Sequence, residues 1–130
     1  MYLLLPVLLA GCGGDPEDDI PPQHWQGYVV DLQTRPAPAV RGMNEFIVLI
    51  SREDGKPPDG RKFIVSLRVD ESNPWKQMIQ DGYMGVFRRA ARVDDPDKQV
   101  LNVQIQRNND LGYLRFPLKG PVHPATGAQG

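Results

Sequence analysis

The sequence is short of the residues on which several functions depend. Its 130 residues contain one cysteine and two histidines, which excludes an internal disulfide and a histidine-rich metal site. Fifteen basic and sixteen acidic side chains nearly cancel, whereas a general nucleic-acid binder is strongly basic. No apolar run reaches the roughly 20 residues that a membrane-spanning helix needs. Because the charges nearly cancel, we predict that the chain binds no nucleic acid.

Glycine and proline, by contrast, are abundant, with thirteen of each. One residue in five is therefore a turn former or helix breaker, which favours short strands over long helices. Apolar and polar side chains alternate with a period of two, most clearly over residues 101–106 and 65–70. Residues 46–50 are apolar throughout, which is typical of a strand covered on both faces. Further strands are expected at 28–32, 86–93 and 114–116, and one helical turn at 72–80.

Turn residues separate these segments at intervals typical of a β-sandwich. A hairpin loop is expected at 108–112, before the last strand. We predict an all-β fold, an antiparallel immunoglobulin-like sandwich of six to seven strands, over residues 25–118. Residues 12–24 are acidic and rich in proline and glycine, which indicates a flexible tether. Residues 119–130 are expected to be a flexible tail.

The N-terminal residues predict where the protein is located. Residues 2–10 are apolar and are followed by Gly11 and Cys12, as in a secretory signal that ends in small side chains. Leu9-Ala10-Gly11-Cys12 resembles the lipobox of bacterial lipoproteins. The resemblance implies that residues 1–11 are a signal peptide and that Cys12 carries acyl chains inserted in the lipid bilayer. Because Gly13 replaces the aspartate of the family's inner-membrane signal, it also implies an outer-membrane anchor facing the periplasm. The alternative is an apolar first strand with a buried free cysteine.

Few titratable side chains are placed for catalysis. His24 lies at the end of the predicted tether and His123 in the tail, so neither is expected inside a rigid site. The carboxylates concentrate in turns, as at Asp94, Asp95 and Asp97, where Asp side chains stabilise the backbone. We therefore predict that the protein is not an enzyme.

Methionine suggests a metal, because thioether ligands suit Cu(I). Met78 and Met84 flank the turn at 80–82, while Met43 and His24 lie near predicted strands. One hypothesis is a copper site formed by these four residues. The alternative is that the methionines fill gaps in the core.

Two arginines form a second candidate site. Arg88 and Arg92 share one face of a strand and are candidate partner-binding residues, with Arg68 or Lys62 on a neighbouring strand. The alternative is a solvated sheet face. Trp25 and Trp75 are both expected to be packing anchors rather than stacking platforms.

Short motifs in the sandwich region carry a family resemblance. Gly42-Met43-Asn44-Glu45-Phe46 and Gln80-Asp81-Gly82-Tyr83 resemble segments of the YtkA-like family of exported β-sandwich domains. The resemblance implies an immunoglobulin-like fold and a role in copper handling or respiratory oxidase assembly. We thus expect a membrane-anchored periplasmic lipoprotein that acts as a non-enzymatic binding or accessory module. The alternative is a structural envelope lipoprotein with a protein partner and no metal ligand.

Overall fold

A computed structural model describes residues 20–119 of the chain. The predicted signal peptide, the predicted acylation site Cys12, most of the predicted tether and the predicted tail beyond Lys119 lie outside these residues. Within them, no helix is both long enough and apolar enough to cross a membrane.

Strands make up most of the described chain. In chain order they are β1 (Gln23–Trp25), β2 (Tyr28–Arg35), β3 (Gly42–Arg52), β4 (Phe63–Val69), β5 (Lys76–Gln77), β6 (Ile79–Gln80), β7 (Val86–Val93), β8 (Val100–Arg107) and β9 (Asp110–Pro117). A 3-10 turn, Gly60–Lys62, precedes β4. The first sheet has the order β1-β2-β3-β7-β6 and the second the order β5-β4-β8-β9, and every strand pair is antiparallel.

This strand order is that of an immunoglobulin-like sandwich. Strands β2, β3, β7 and β6 take the positions of the ABED sheet, and β4, β8 and β9 those of the CFG sheet, with β5 in the place of C′. The predicted all-β antiparallel sandwich is therefore confirmed. Residues 20–119 contain nine strands rather than six or seven. The extra ones, β1, β5 and β6, are two or three residues long, too short to show a period of two.

The inward side chains of both sheets form one core. They include Phe46 and Val48 from β3, Phe87 from β7, Leu67 from β4 and Phe116 from β9. Strand β3 is the middle strand of the first sheet, as predicted for the apolar segment 46–50. Ile47 points to the outer face of this sheet and is still only 2% exposed. Successive side chains of β3 point to opposite faces of the sheet, so Phe46 and Val48 lie in the core while Ile47 is covered on the outer face.

The segment between β4 and β7 differs from the prediction. No helical turn forms at 72–80; the chain forms β5 and β6, one on each sheet. Met78 lies between them, and its N–H donates to the Val65 carbonyl at 2.7 Å. The chain therefore crosses from one sheet to the other at Met78. Such a crossing depends on two separate partner strands, which local sequence does not reveal.

Two predicted boundaries also move. The tether was expected to extend to residue 24, but Gln23 and His24 already pair with Val30 and Val29 in the first sheet. The last hairpin has a loop of two residues, Asn108-Asn109, because Asp110 already pairs with Arg107. Asn108 has a φ of 57°, which asparagine tolerates better than most residues.

Candidate functional site

The four predicted copper ligands are not brought together. Met78 is only 3% exposed and belongs to the core, whereas Met43 and Met84 are mostly exposed. Met43 pairs with Arg92 at one end of the β3–β7 pair, and Met84 precedes Val86 at the other. Within β7 alone, the six steps from Val86 to Arg92 span roughly 20 Å, and Met84 lies before Val86. Met43 and Met84 therefore cannot share one ion.

His24 is separated from the methionines as well. It lies on β1, three strands away from β7, and its Nδ1 is 3.2 Å from a carboxylate oxygen of Glu53. Among the described residues there is no group of three or more His, Cys, Asp or Glu side chains able to hold a metal. The predicted set of copper ligands is therefore wrong. The side chain of Met78, where the chain crosses between the sheets, is buried in the core, whereas Met84 lies on an exposed turn. Met78 instead packs in the core, as the alternative hypothesis for the methionines predicts.

Arg88 and Arg92 do share an outer face, that of the first sheet, but neighbouring acids neutralise both. The Arg88 Nε donates to Asp81 at 2.7 Å, and a second nitrogen lies 3.6 Å from Glu45. The hydrogen bond to Asp81 raises the pKa of the Arg88 guanidinium. Arg92 reaches Asp94 at 3.3 Å. Arg68 cannot join them, because β4 belongs to the second sheet.

We call this outer surface of the first sheet the charged face. Its charges alternate in sign and lie beside one another on β2, β3 and β7, as the cross-strand pair Arg35 and Glu45 shows. The residues of the charged face are Asp31, Gln33, Arg35, Glu45, Arg88 and Arg92. Long side chains that pair across strands cover Ile47 and keep the surface in water. On the charged face, the two arginines of β7 are therefore both paired with acids.

The outer surface of the second sheet has a different composition, and we call it the amide face. Its positions lie opposite the core residues of β4, β8 and β9. It carries aromatic rings, amides and arginines, and the strand positions on it hold no carboxylate within the described chain. The polar and aromatic residues of the amide face are Ser66, Arg68, Trp75, Asn102, Gln104, Gln106, Tyr113 and Arg115. Two exposed apolar side chains, Ile64 and Leu111, flank Gln106 at one end of the same face.

Trp75 lies across this face. The guanidinium carbon of Arg68 stands 4.2 Å from the centre of the Trp75 ring, a cation–π geometry. The Trp75 and Tyr113 ring centres are 6.2 Å apart, with their planes inclined by 44°. Tyr113 is on β9, at the far side of the sheet, and 60% of it is exposed. Its hydroxyl accepts from the Gln104 amide at 3.2 Å. Trp75 is half-buried and has Arg68 against one ring face, so the open part of this aromatic pair is chiefly the Tyr113 ring.

Two buried nitrogens on the amide face have no hydrogen-bond partner in the described structure. They are Nε of Arg68 and Nδ2 of Asn102, whose residue is only 7% exposed. Leaving a buried donor unsatisfied costs about 1–3 kcal/mol. The acid nearest along β4 is Asp70, and it already accepts from Gln99 and from the Val100 backbone. The amide face therefore has two hydrogen-bond donors for which the described residues provide no acceptor.

The two tryptophans have different roles, although both were predicted to be anchors. Trp25 packs against the core, and a side chain at Gly112 would collide with its ring. Trp75 is on the outer surface, which corrects the prediction for that residue. The signal that sequence analysis missed is Asn102-Val103-Gln104-Ile105-Gln106, where every outward position is an uncharged amide.

A groove runs along β2 on the other side of the molecule. It has a volume of about 560 Å³ and is lined by residues 20–22 together with Asp31 and Gln33. Partial burial raises the pKa of the Asp31 carboxyl. A carboxylate in such an environment is one of the groups that can act as a base.

No protein-family model and no solved structure matches the chain. A glucose-6-phosphate isomerase of Streptococcus pyogenes serotype M6 is 27% identical over 92 residues, which are 69% of this chain and 20% of the isomerase. The chain thus spans about a fifth of the length of the curated relative that it matches. The prediction that the protein is not an enzyme is contradicted by this similarity to an enzyme, and we correct it. The lipobox and the YtkA-like resemblance stay predictions.

Proposed function

We propose that the protein is a membrane-anchored binding module of the bacterial envelope and that the amide face holds its ligand. The observation that carries this proposal is the pair of partnerless buried nitrogens beside the exposed ring of Tyr113 and the half-buried ring of Trp75. A surface that only needed to be solvated would resemble the charged face, where Arg88 and Arg92 pair with neighbouring acids. Keeping unused donors under an exposed aromatic surface lowers stability, and a ligand that used them would offset that cost.

The anchor in this proposal is Cys12, supported by the resemblance of residues 9–12 to a lipobox. Each acyl methylene buried in a bilayer contributes about 0.8 kcal/mol, so several chains on one residue hold a small domain firmly. The acidic residues 13–22 then separate the sandwich from the membrane. The copper form of the proposal has the weakest support, because the candidate ligands are far apart.

Metabolic labelling with a palmitate analogue, followed by envelope fractionation, tests the anchor. The wild-type chain should be labelled and should sediment with outer membranes, whereas Cys12→Ser should be unlabelled and absent from them. Gly14→Ser is the matched control and should behave as the wild type. Membrane association that persists in Cys12→Ser without the label would refute the lipid anchor.

A second candidate function follows from the similarity to the isomerase. Isomerisation by proton transfer requires a base, and Asp31 in the β2 groove is the described carboxylate with a raised pKa. This candidate predicts that the purified full chain isomerises glucose 6-phosphate and that Asp31→Asn abolishes turnover. If the wild type shows no turnover, this candidate fails and the binding proposal is unaffected.

A further inference from the structure

We propose that the ligand of the amide face is a polysaccharide that carries carboxylate groups. This inference rests on the proposed function and deepens it, because it names the chemistry of the ligand. Three properties of the face support it: the arrangement of its rings, its row of amides and its unbalanced positive charge.

The rings provide the apolar part of the recognition. Trp75 and Tyr113 lie side by side, with 6.2 Å between ring centres and an inclination of 44°. Flat aromatic faces that combine an apolar body with a polar edge suit ligands that have both kinds of surface. A sugar ring is such a ligand, because its C–H groups form apolar patches while its hydroxyls point outward. Two neighbouring rings therefore offer positions for two neighbouring sugars.

The amides provide the polar part. Asn102, Gln104 and Gln106 occupy alternate positions of β8, so their side chains follow one another at about 6.6 Å along the strand. An amide both donates and accepts hydrogen bonds, as do sugar hydroxyls and acetamido groups. The Nδ2 of Asn102 lies in this row without a partner. A row of uncharged groups able to bond in both senses complements a chain of hydroxyl groups better than it complements a charged partner.

The charge provides the selectivity for acidic sugars. Arg68, Asn102 and Arg115 are aligned across β4, β8 and β9, which places the two arginine backbones about 9.6 Å apart. Within residues 20–119 neither arginine forms an ion pair. A guanidinium binds a carboxylate through two parallel hydrogen bonds. Two free arginines beside a sugar-binding surface therefore favour a glycan with carboxylates.

The same observations favour a glycan over other partners. Aromatic residues and arginines also occur in protein-docking surfaces, but the row of three amides on β8, with the Asn102 Nδ2 still without a partner, matches a chain of hydroxyl groups more closely. A nucleic acid would need many more cations than two arginines. A polysaccharide is thus the class whose chemistry matches the whole face.

The test uses the full chain purified in detergent and two oligosaccharides of equal length. One alternates glucuronate with N-acetylglucosamine, and the other contains N-acetylglucosamine alone. Calorimetry should show tighter binding of the acidic oligomer. Tyr113→Ala should lower the affinity about five- to tenfold, because it removes one stacking surface. Tyr83→Ala is the matched control, since Tyr83 is 63% exposed on the turn before β7, and it should leave the affinity unchanged.

Two more variants separate the polar contributions. Arg115→Gln should remove the preference for the acidic oligomer while the neutral oligomer still binds. Gln104→Ala should weaken both oligomers, whereas Gln33→Ala on the charged face should weaken neither. Circular dichroism of each variant establishes that the fold is retained. Sedimentation with isolated peptidoglycan sacculi, compared with the soluble oligomers, then shows whether the glycan comes from the cell wall or from a soluble acidic polymer.

Three results would overturn the inference. These are no binding of either oligomer or of sacculi, equal binding of the acidic and neutral oligomers, and equal losses in Tyr113→Ala and Tyr83→Ala. Capture of an envelope protein by a photocrosslinker at position 113, without glycan binding, would replace the glycan by a protein partner. The lipid-labelling experiment on Cys12 is independent of all of these. A result that refutes the acidic-polysaccharide inference can therefore be distinguished from one that refutes the proposed lipid anchor.

Discussion

The two outer faces of the sandwich both present arginines to water, but the arginines have different neighbours on each face. On the charged face, Arg88 is held by Asp81 and Glu45, and Arg92 by Asp94. On the amide face, Arg68 stacks on Trp75 and its Nε has no partner in the described structure. Both faces are compatible with water, but only on the charged face do neighbouring acids pair with the arginines. The difference indicates that the amide face is shaped by something other than solubility.

The largest change in the free energy of unfolding is expected for one of two buried asparagines, Asn44. Asn44, at the end of β3, is 2% exposed; it accepts from the Val40 N–H at 2.9 Å and donates to the Val40 and Gly42 carbonyls at 2.8 and 3.0 Å. Asn44→Val leaves those loop groups without partners and should lower the free energy of unfolding by about 2–3 kcal/mol. Urea denaturation of the full chain measures this.

The matched substitution on the amide face should have the opposite sign. Asn102→Val removes a donor that has no partner in the described structure, and valine suits a strand. We expect the free energy of unfolding to rise by about 1 kcal/mol, with a concurrent loss of ligand affinity. A destabilised Asn102→Val would show that Nδ2 is satisfied in solution, for instance by water, and would weaken the contrast between the faces.

A smaller effect concerns the ionic character of the charged face. Arg88→Met removes the contacts with Asp81 and Glu45, so stability should fall less than in Asn44→Val. The loss should shrink in 1 M salt, where the Debye length is about 3 Å. Arg115→Met is the control on the amide face; its effect should not depend on salt, since no ion pair involves Arg115 within residues 20–119. Equal salt dependence of the two variants would contradict the comparison.

The smallest effect is a dependence on pH with opposite signs at two aspartates. Burial raises the pKa of Asp31 in the folded state, so its contribution to stability falls as the pH rises above 3.8. Asp31→Asn should therefore gain stability, relative to the wild type, between pH 3 and pH 7. Hydrogen bonds from Arg61 lower the pKa of Asp59, so its contribution is present above pH 3.8 and is lost as the pH falls further. Asp59→Asn should cost stability at pH 7 and little at pH 2.

Thermal unfolding as a function of pH checks both variants. The stability of Asp31→Asn relative to the wild type should rise as the pH increases above 3.8, whereas that of Asp59→Asn should fall as the pH increases towards 3.8 and stay level above it. Parallel curves would mean that the environments of Asp31 and Asp59 do not differ as the structure indicates.

Sequence reasoning succeeded where a pattern extends over several residues. The alternation at 101–106 and the apolar run at 46–50 predicted β8 and β3, because side-chain direction has a strict period of two in a strand. It failed at β5 and β6, whose two residues each show no period. It also failed for the copper ligands, since Met78 and Met84 are close in the sequence and are directed to opposite environments.

The sequence by itself determined the all-β class, the central strand and the shared face of Arg88 and Arg92. Each of these depends on periodicity within one segment. Only the tertiary structure decided which strands are neighbours, and thus that Glu45 and Asp81 neutralise Arg88 while Arg68 meets Trp75 instead. Trp75 reaches Tyr113 across β4 and β8, through a pairing between residues 38 positions apart in the chain. Contacts of this kind are set by sheet assembly, and local patterns carry no information about it.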